Sequence, residues 1–245
     1  MSKLWVFGDS YTAEYYPVGE SFVVSNYDHY KKYKGGSLPD VWPTILAKKL
    51  GFEVVNLAVG GSSNANIFIS ITDVCDQFEE NDRVIVGWAN NKRFIAANFR
   101  DNNLNNILPC DSDFPDTLLS KNTIDEIFYN RTHPIWHKEI YGWMKIINLI
   151  CDMKKVKIHH WTSDYDITSD FNKIDDEKII SVLDSENRGL GLMERISEIC
   201  WEETGTHARI VHETNNVVND GHFGEYGHIA QADFFYKFIQ KHKKC

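Results

Sequence analysis

The amino-acid sequence predicts a three-layer α/β/α sandwich, in which helices cover both faces of a central parallel sheet of about five strands. The chain has 245 residues, 42% of them hydrophobic and 25% charged, which suits one domain with a substantial core. Short apolar runs alternate with helical patterns on short connections, as they do in parallel sheets. Because no internal repeat or linker-like composition interrupts this alternation, we predict a single domain over residues 1–245.

Five short apolar runs are interpreted as the strands of this sheet. They span Leu4–Phe7, Phe52–Leu57, Arg83–Gly87, Lys155–Trp161 and Ala208–Val211. The first ends in a turn signal, Gly8-Asp9-Ser10, and the second in a stretch of small residues, as expected of buried strands that lead into loops. Together with the intervening helices, these runs predict a flavodoxin-like sheet.

The segments between the strands predict helices near residues 40–51, 66–78, 134–153, 191–203 and 225–242. The first of these has Asp40 as a candidate N-cap, Pro43 in its first turn and Gly51 as its stop signal. Residues 13–40 are rich in Tyr, Gly, Ser and Pro and predict a long loop. Residues 94–133 are rich in Asn and Asp and predict an insertion, or lid, that covers one side of the functional edge.

Charge and composition exclude several classes of partner. The net charge is -9 and no extended basic surface is visible, so we expect no nucleic-acid partner. No apolar run approaches the ~20 residues of a membrane helix, and the N-terminus lacks a signal-peptide pattern. The five cysteines are scattered without a CxxC pair, which favours a reducing compartment. We therefore expect a cytoplasmic protein or, given its Lys-, Asn- and Ile-rich composition, a virion-associated one.

Three loops with chemically capable side chains follow predicted strands or precede the last helix. They are Gly8-Asp9-Ser10, the segment from Asn56 to Asn64, and Asp220-Gly221-His222. In open parallel sheets the carboxyl edge is where ligands bind. A serine hydroxyl becomes a nucleophile when a histidine accepts its proton and a carboxylate orients that histidine. The order Ser, Asp, His along the chain therefore predicts nucleophilic catalysis.

These motifs, taken in order, resemble the GDSL-type, or SGNH, hydrolase family. The resemblance rests on a strand followed by Gly-Asp-Ser, then N-x-x-x-x-G, then a glycine at the end of the third strand, and finally D-x-H-x-x-x-x-G-H before the last helix. It implies that Ser10 is the nucleophile and His222 the general base. It also implies that the backbone N–H groups of Ser10 and Gly61 donate to the oxyanion.

The sequence departs from the family pattern at two positions. The third block of the family reads G-x-N-D, but Ala89 stands at the asparagine position here, so the third oxyanion donor is either Asn90 or Asn64. The family acid lies three residues before the histidine, where this chain has Asn219. We select Asp220, because only a carboxylate stabilises the imidazolium; a dyad with His222 oriented by backbone carbonyls is the alternative.

The resemblance implies a serine-dependent ester hydrolase that forms an acyl-enzyme. Aromatic residues near the predicted loops, Tyr11, Trp88 and Trp161, suggest stacking on sugar rings and hence an O-deacetylase of acetylated carbohydrate. An acyltransferase that uses the same serine, or a non-catalytic binding or structural protein on the same fold, remains as an alternative.

We expect neither a metal ion nor a cofactor. In His222-x-x-Glu225-x-x-His228 the two histidines are six residues apart and do not share a helix face. The glycines at Gly60 and Gly61 lack the spacing of nucleotide-binding loops. The expected ligand is therefore a small-molecule or carbohydrate ester.

Overall fold

The computed structural model describes residues 1–15, 24–89, 94–97, 104–107, 133–162, 178–180 and 192–242. Its strands are β1 (Lys3–Phe7), β2 (Glu53–Asn56), β3 (Arg83–Trp88), β4 (Phe94–Ala97), β5 (Leu104–Ile107) and β6 (Lys157–Thr162). Its helices are α1 (Val24–Tyr33), α2 (Trp42–Leu50), α3 (Asn64–Val74), α4 (His133–Lys154), α5 (Leu192–Thr204), α6 (Ile210–Glu213) and α7 (Glu225–Lys241).

Four strands form the central parallel sheet, in the order β2-β1-β3-β6. Val6 in the middle of the sheet pairs with Asn56 on one side and Ile85 on the other. The first strand therefore lies inside the sheet and the second at its edge, which is the flavodoxin-like order. The predicted fold class is confirmed, with four strands in the described sheet.

Alternating side chains of the sheet enter two separate cores. Trp5, Phe7, Val84 and Val86 point to one face, where α3 and α4 cover them. Leu4, Val6 and Ile85 point to the other face and meet α2, α5 and α7. Because strand side chains alternate in direction, both faces of a buried parallel strand must be apolar. This explains why the strands are continuous apolar runs, and it produces the three layers.

The predicted fifth strand at Ala208–Val211 is wrong. Ile210–Glu213 forms the short helix α6, and Arg209 makes one antiparallel bridge with Phe223. The place beside β6 belongs to Ile179, which forms a parallel bridge with His160. A four-residue apolar run is compatible with either a strand or a buried helical turn. Here the tertiary contacts of the segment stabilise the helical turn.

Residues 13–40 are not one continuous loop, because they contain α1. Its Tyr27 and Tyr30 are buried and pack with Tyr15 in a third apolar cluster. Within the predicted insertion at 94–133, β4 and β5 pair as an antiparallel ladder. The rest of that proposed lid lies outside the described residues.

Candidate active site

The loop after β1 forms a tight turn with Ser10 in it. A Cβ atom on Gly8 would lie 2.5 Å from the hydroxyl oxygen of Thr12, so only glycine fits there without displacing its neighbour. The carbonyl of Asp9 accepts a hydrogen bond from the N–H of Thr12 at 2.9 Å, and its carboxylate accepts one from the N–H of Tyr11 at 3.1 Å. Gly8 and Asp9 thus have structural roles that fix the position of Ser10 at the carboxyl end of the strand.

The loop that carries His222 is pinned to the segment around α6. The backbone N–H of Ile210 donates to the carbonyl of His222 at 2.9 Å, and that of Val211 donates to the carbonyl of Asp220 at 2.8 Å. These bonds hold the loop in register with a neighbouring segment before α7 begins. The histidine is therefore presented from a fixed backbone, although no regular strand supports it.

Ser10, His222 and Asp220 form a continuous chain of contacts. Nε2 of His222 lies 2.9 Å from Oγ of Ser10, and Nδ1 lies 2.6 Å from Oδ1 of Asp220. The same carboxylate oxygen also accepts the backbone N–H of His222 at 2.8 Å. With Nδ1–H donating to the carboxylate, Nε2 is left as the acceptor that faces the serine hydroxyl. The carboxylate in contact with the imidazole is thus that of Asp220.

Burial and hydrogen bonding act in opposite directions on Asp220. Its side chain is only 3% exposed, whereas that of His222 is 27% exposed. Burial raises the pKa of Asp220, but the hydrogen bonds and the charge of His222 outweigh that effect and bring the pKa below its ordinary value. The carboxylate therefore stays ionised at neutral pH beside a histidine that reaches solvent.

Hydrogen bonds connect the loop after β1 to the loop after β2. The side-chain amide of Asn56 donates to the carbonyl of Thr12 at 2.9 Å. The N–H of Val59 donates to the carbonyl of Gly8 at 3.1 Å. Asn56 is the first residue of the N-x-x-x-x-G motif, and its side chain connects the two loops by a hydrogen bond.

The candidate oxyanion residues differ in how fully the structure describes them. Gly61 has φ of +77°, a left-handed conformation that favours glycine. The side chain of Asn64 is bonded twice to the backbone of Ala89, accepting its N–H at 2.7 Å and donating to its carbonyl at 2.9 Å. This pair joins the start of α3 to the end of β3. Asn90 lies outside the described residues.

Of the three candidate substrate-binding aromatics, only Tyr11 lies beside the histidine. Its ring centroid is 5.2 Å from that of His222. Trp88 and Trp161 are each 1% exposed and belong to the two cores, so their expected stacking on a ligand is overturned. From sequence alone, a tryptophan at the end of a strand can be assigned either to a binding site or to the core. Here both rings are buried in the core.

Behind the His222 loop lies a buried polar pair, Tyr30 and Glu213, that the sequence does not predict. The hydroxyl of Tyr30 donates to the carboxylate of Glu213, with oxygens at 3.0 and 3.1 Å, and accepts the N–H of Glu225 at 2.8 Å. Glu213 also lies so close to Gly224 that a Cβ atom there would be 1.9 Å from its oxygen. Tyr30 and Glu213 are 183 residues apart, so no local pattern reveals their contact.

His228 does not join His222 in a metal site. Its ring is buried and packs perpendicular to that of Tyr15 at 5.6 Å, and burial lowers its pKa to about 3. Among the described residues, no group of three or more His, Cys, Asp and Glu side chains is arranged to hold a metal ion. The same residues include no helix long and apolar enough to cross a membrane.

Comparison with known families identifies the chain from its N-terminal half. The model of the GDSL-like lipase/acylhydrolase family matches residues 4–124, which include the Ser10 loop and Gly61. The N-terminal half of the chain is therefore similar to this GDSL-like family. The family resemblance noted in the sequence is thereby confirmed. Asp220 and His222 lie beyond the matched residues.

Solved structures show the same fold at low sequence identity. The protein YXIM from Bacillus subtilis is 12% identical with a TM-score of 0.51, over 99% of this chain and 57% of that one. A putative G-D-S-L lipolytic protein from Desulfitobacterium hafniense is 10% identical with a TM-score of 0.47, over 97% of this chain and 99% of that one. A catalytic mutant of the acetylxylan esterase Axe2 from Geobacillus stearothermophilus is 12% identical with a TM-score of 0.33, over 97% and 94%.

At this low sequence identity, the likeness to the Bacillus subtilis structure shows a shared fold and nothing more. The chain spans little more than half the length of that protein. No curated protein matches the sequence.

Proposed function

We propose that the protein is a serine-dependent ester hydrolase that forms an acyl-enzyme on Ser10. The observation behind this proposal is the chain of two short contacts, 2.9 Å from Ser10 to His222 and 2.6 Å from His222 to Asp220. A serine hydroxyl at this distance from an unprotonated imidazole nitrogen can transfer its proton while its oxygen attacks. The ionised Asp220 stabilises the imidazolium that this transfer creates.

In the first half-reaction, Oγ of Ser10 forms a bond to the ester carbonyl carbon and its proton passes to Nε2 of His222. The carbonyl π electrons move onto the oxygen and form a tetrahedral oxyanion. When the intermediate collapses, the bond to the leaving alkoxide breaks and Nε2–H protonates that alkoxide. The products of this step are a free alcohol and an acyl group on Ser10.

In the second half-reaction, water replaces the serine as the nucleophile. Nε2 of His222 takes a proton from water as its oxygen attacks the acyl carbon. Collapse of the second tetrahedral intermediate returns the proton to Oγ of Ser10 and releases the carboxylic acid. Because the same nitrogen accepts and returns each proton, the enzyme is restored without any further reactant.

The backbone N–H groups of Ser10 and Gly61 stabilise the oxyanion, together with one asparagine side chain. The left-handed turn at Gly61 supports this role, since it lets a backbone amide come close to a substrate. Asn64 keeps a second amide hydrogen beyond the one it donates to Ala89, and Asn90 is the other candidate. Removing one such donor costs on the order of 100- to 1000-fold in turnover.

The preferred substrate class in this proposal is a small O-acyl ester, with an O-acetyl group on a carbohydrate as its natural form. Tyr11 supports it, because its ring lies 5.2 Å from the imidazole, where a sugar next to the reacting ester could stack. Acetyl-xylan oligosaccharides and their deacetylated forms test this step through acetate release and binding affinity. Equal affinity for both forms would remove the carbohydrate part of the proposal.

The mechanism is tested with p-nitrophenyl esters from acetyl to octanoyl. The Ser10→Ala variant should lose at least about 10⁴-fold in kcat/KM, as expected when a catalytic nucleophile is removed. Ser197→Ala is a matched control, because that hydroxyl only bonds the carbonyl of Met193 within α5. A fluorophosphonate probe should label Ser10 in the wild type and in the control.

The outcomes separate the alternatives. Retained hydrolysis in Ser10→Ala contradicts the mechanism. Transfer of the acyl group to an added alcohol in preference to water identifies an acyltransferase that uses the same serine. If the wild-type protein neither hydrolyses any ester nor reacts with the probe, the fold serves a binding function.

A further inference from the structure

A cavity lies at the amino end of the sheet, opposite the edge that carries Ser10. It has a volume of about 180 Å³ and opens between β6, the last turn of α4 and the end of α7. It is much larger than the ~30 Å³ that one water occupies, so it has room for a small ligand. Its described polar lining comprises Arg83, Asp152, Lys157, His159, Lys178 and His242.

Arg83 is the chemically unusual member of this lining. It begins β3 and is only 5% exposed. One terminal nitrogen of its guanidinium contacts the ring of His159, while Nε is buried without any hydrogen-bond partner. Within the described part of the chain, no carboxylate forms an ion pair with it. A buried charge without a counter-charge is costly to a fold, and an anion in the cavity would remove that cost.

The surrounding side chains make the cavity positive overall. Lys157 and Lys178 add two ammonium groups to the guanidinium. The acidic residue of the described lining, Asp152, is held by Lys178 at 3.1 Å, which offsets its repulsion of an anion. Burial lowers the pKa of Arg83 to about 10, so the guanidinium stays charged at neutral pH.

We propose that this cavity binds a small oxyanion, a phosphate or carboxylate group, with the guanidinium of Arg83 as its principal partner. A guanidinium presents parallel N–H donors whose spacing matches two oxygens of such a group. Arg83 lines the cavity, and Lys178 lines the same cavity. The site is independent of Ser10, because the six-residue length of β3, roughly 20 Å, separates the two edges of the sheet.

The test is isothermal titration calorimetry with sodium phosphate and with sodium acetate, at constant ionic strength set with sodium chloride. The wild-type protein should give a saturable one-site isotherm with at least one of these anions. Arg83→Met should weaken that binding about tenfold or more, the loss expected when a hydrogen bond to a charged partner disappears. A preference for phosphate identifies a phosphate-bearing ligand, and a preference for acetate identifies a carboxylate.

Lys155→Asn is the matched control. It removes one positive charge near the cavity, but the Lys155 ammonium is exposed and faces Glu80 at 3.3 Å. Asparagine also tolerates the left-handed φ of +56° at that position. Its affinity should remain within about twofold of the wild type, since an exposed charge contributes little.

A second variant keeps the proposal testable if Arg83→Met fails to fold, which circular dichroism would show. Lys178→Met removes an ammonium at the rim and leaves Asp152 without its partner, so anion affinity should fall several-fold. The proposal is overturned if the wild type gives no saturable isotherm with either anion. It is also overturned if the folded Arg83 or Lys178 variants bind as tightly as the wild type.

Discussion

The two ends of the central sheet hold charge in different ways. At the carboxyl end, the buried carboxylate of Asp220 is bonded to His222, which faces Ser10. At the amino end, the buried carboxylate of Asp82 accepts hydrogen bonds from the backbone and an indole. The guanidinium of the neighbouring Arg83 has one described side-chain hydrogen bond, to the ring of His159. The carboxylate of Asp220 orients a histidine that can exchange a proton with Ser10, whereas the guanidinium of Arg83 has no carboxylate partner among the described residues, which favours binding of an anion.

The largest expected effect comes from changing the acid at the carboxyl end. Asp220→Asn should reduce kcat by about 10⁴-fold, because an amide cannot stabilise the imidazolium and favours the wrong tautomer of His222. Steady-state hydrolysis of p-nitrophenyl acetate measures this loss. The protein should stay folded, since asparagine has nearly the same shape as aspartate.

Asp40→Asn provides the matched control for that experiment. It also removes one carboxylate, but Asp40 is half exposed and bonds only Lys48 on the surface. Its kcat should equal that of the wild type. If Asp220→Asn keeps more than about a tenth of the activity, the acid is dispensable, and the dyad with backbone carbonyls is the correct description.

At the amino end, the corresponding change should affect stability and leave catalysis unchanged. The carboxylate of Asp82 accepts the N–H of Lys3 at 2.7 Å, the indole N–H of Trp5 at 2.8 Å and the N–H of Glu79 at 3.1 Å. In Asp82→Asn an amide N–H₂ faces one of these donors, which should lower the free energy of unfolding by about 1.5–3 kcal/mol. Urea denaturation measures the loss.

The activity of the Asp82 variant tests whether the two ends are independent. Its kcat, measured at a temperature where it is fully folded, should match that of the wild type. A fall of more than about threefold in the folded variant would couple the amino end to the chemistry, and the comparison between the ends would fail.

The sequence predicted most of the sheet, because each of its strands carries a local signal. The apolar runs that became β1, β3 and β6 are buried on both faces, and α2 ends at Gly51 with φ of +72°, as its stop signal indicates. The failures are segments whose structure depends on distant partners. Ile210 became helical because its segment pairs with the His222 loop, and Ile179 took the place beside β6.

The candidate site was predictable only in part, for a related reason. The order of motifs singles out Ser10 and His222, but the choice between Asp220 and Asn219 depends on loop geometry. The two hydrogen bonds between Asn64 and Ala89 join residues 25 positions apart, so no local sequence pattern predicts them. Trp88 and Trp161 were predicted to bind substrate but lie in the core, since a side chain at a strand end can belong to the core as readily as to the site.

A buried histidine on β6 tests what its surroundings do to a titratable group. His160 on β6 accepts the indole N–H of Trp88 at 3.2 Å on Nδ1, so its Nε2–H donates to the side-chain oxygen of Asn148 at 3.0 Å. Burial, aided by the charge of Lys178, lowers its pKa from 6.5 to about 3. Among the described residues no carboxylate bonds to its ring, and with so low a pKa it is neutral in the fold at pH 7.

The pH dependence of stability should reveal this difference. Below pH 6.5 His160 is protonated in the unfolded chain but stays neutral in the folded chain. Its contribution to the free energy of unfolding therefore falls by about 1.4 kcal/mol per pH unit as the pH decreases toward 3. In His160→Gln this contribution disappears. Urea unfolding at pH 7.5, 6.5, 5.5 and 4.5 should therefore give a shallower acid slope for the variant, even though it starts less stable at pH 7.5. Parallel curves would mean that His160 has the same pKa in the folded and unfolded chains, and that burial does not lower it.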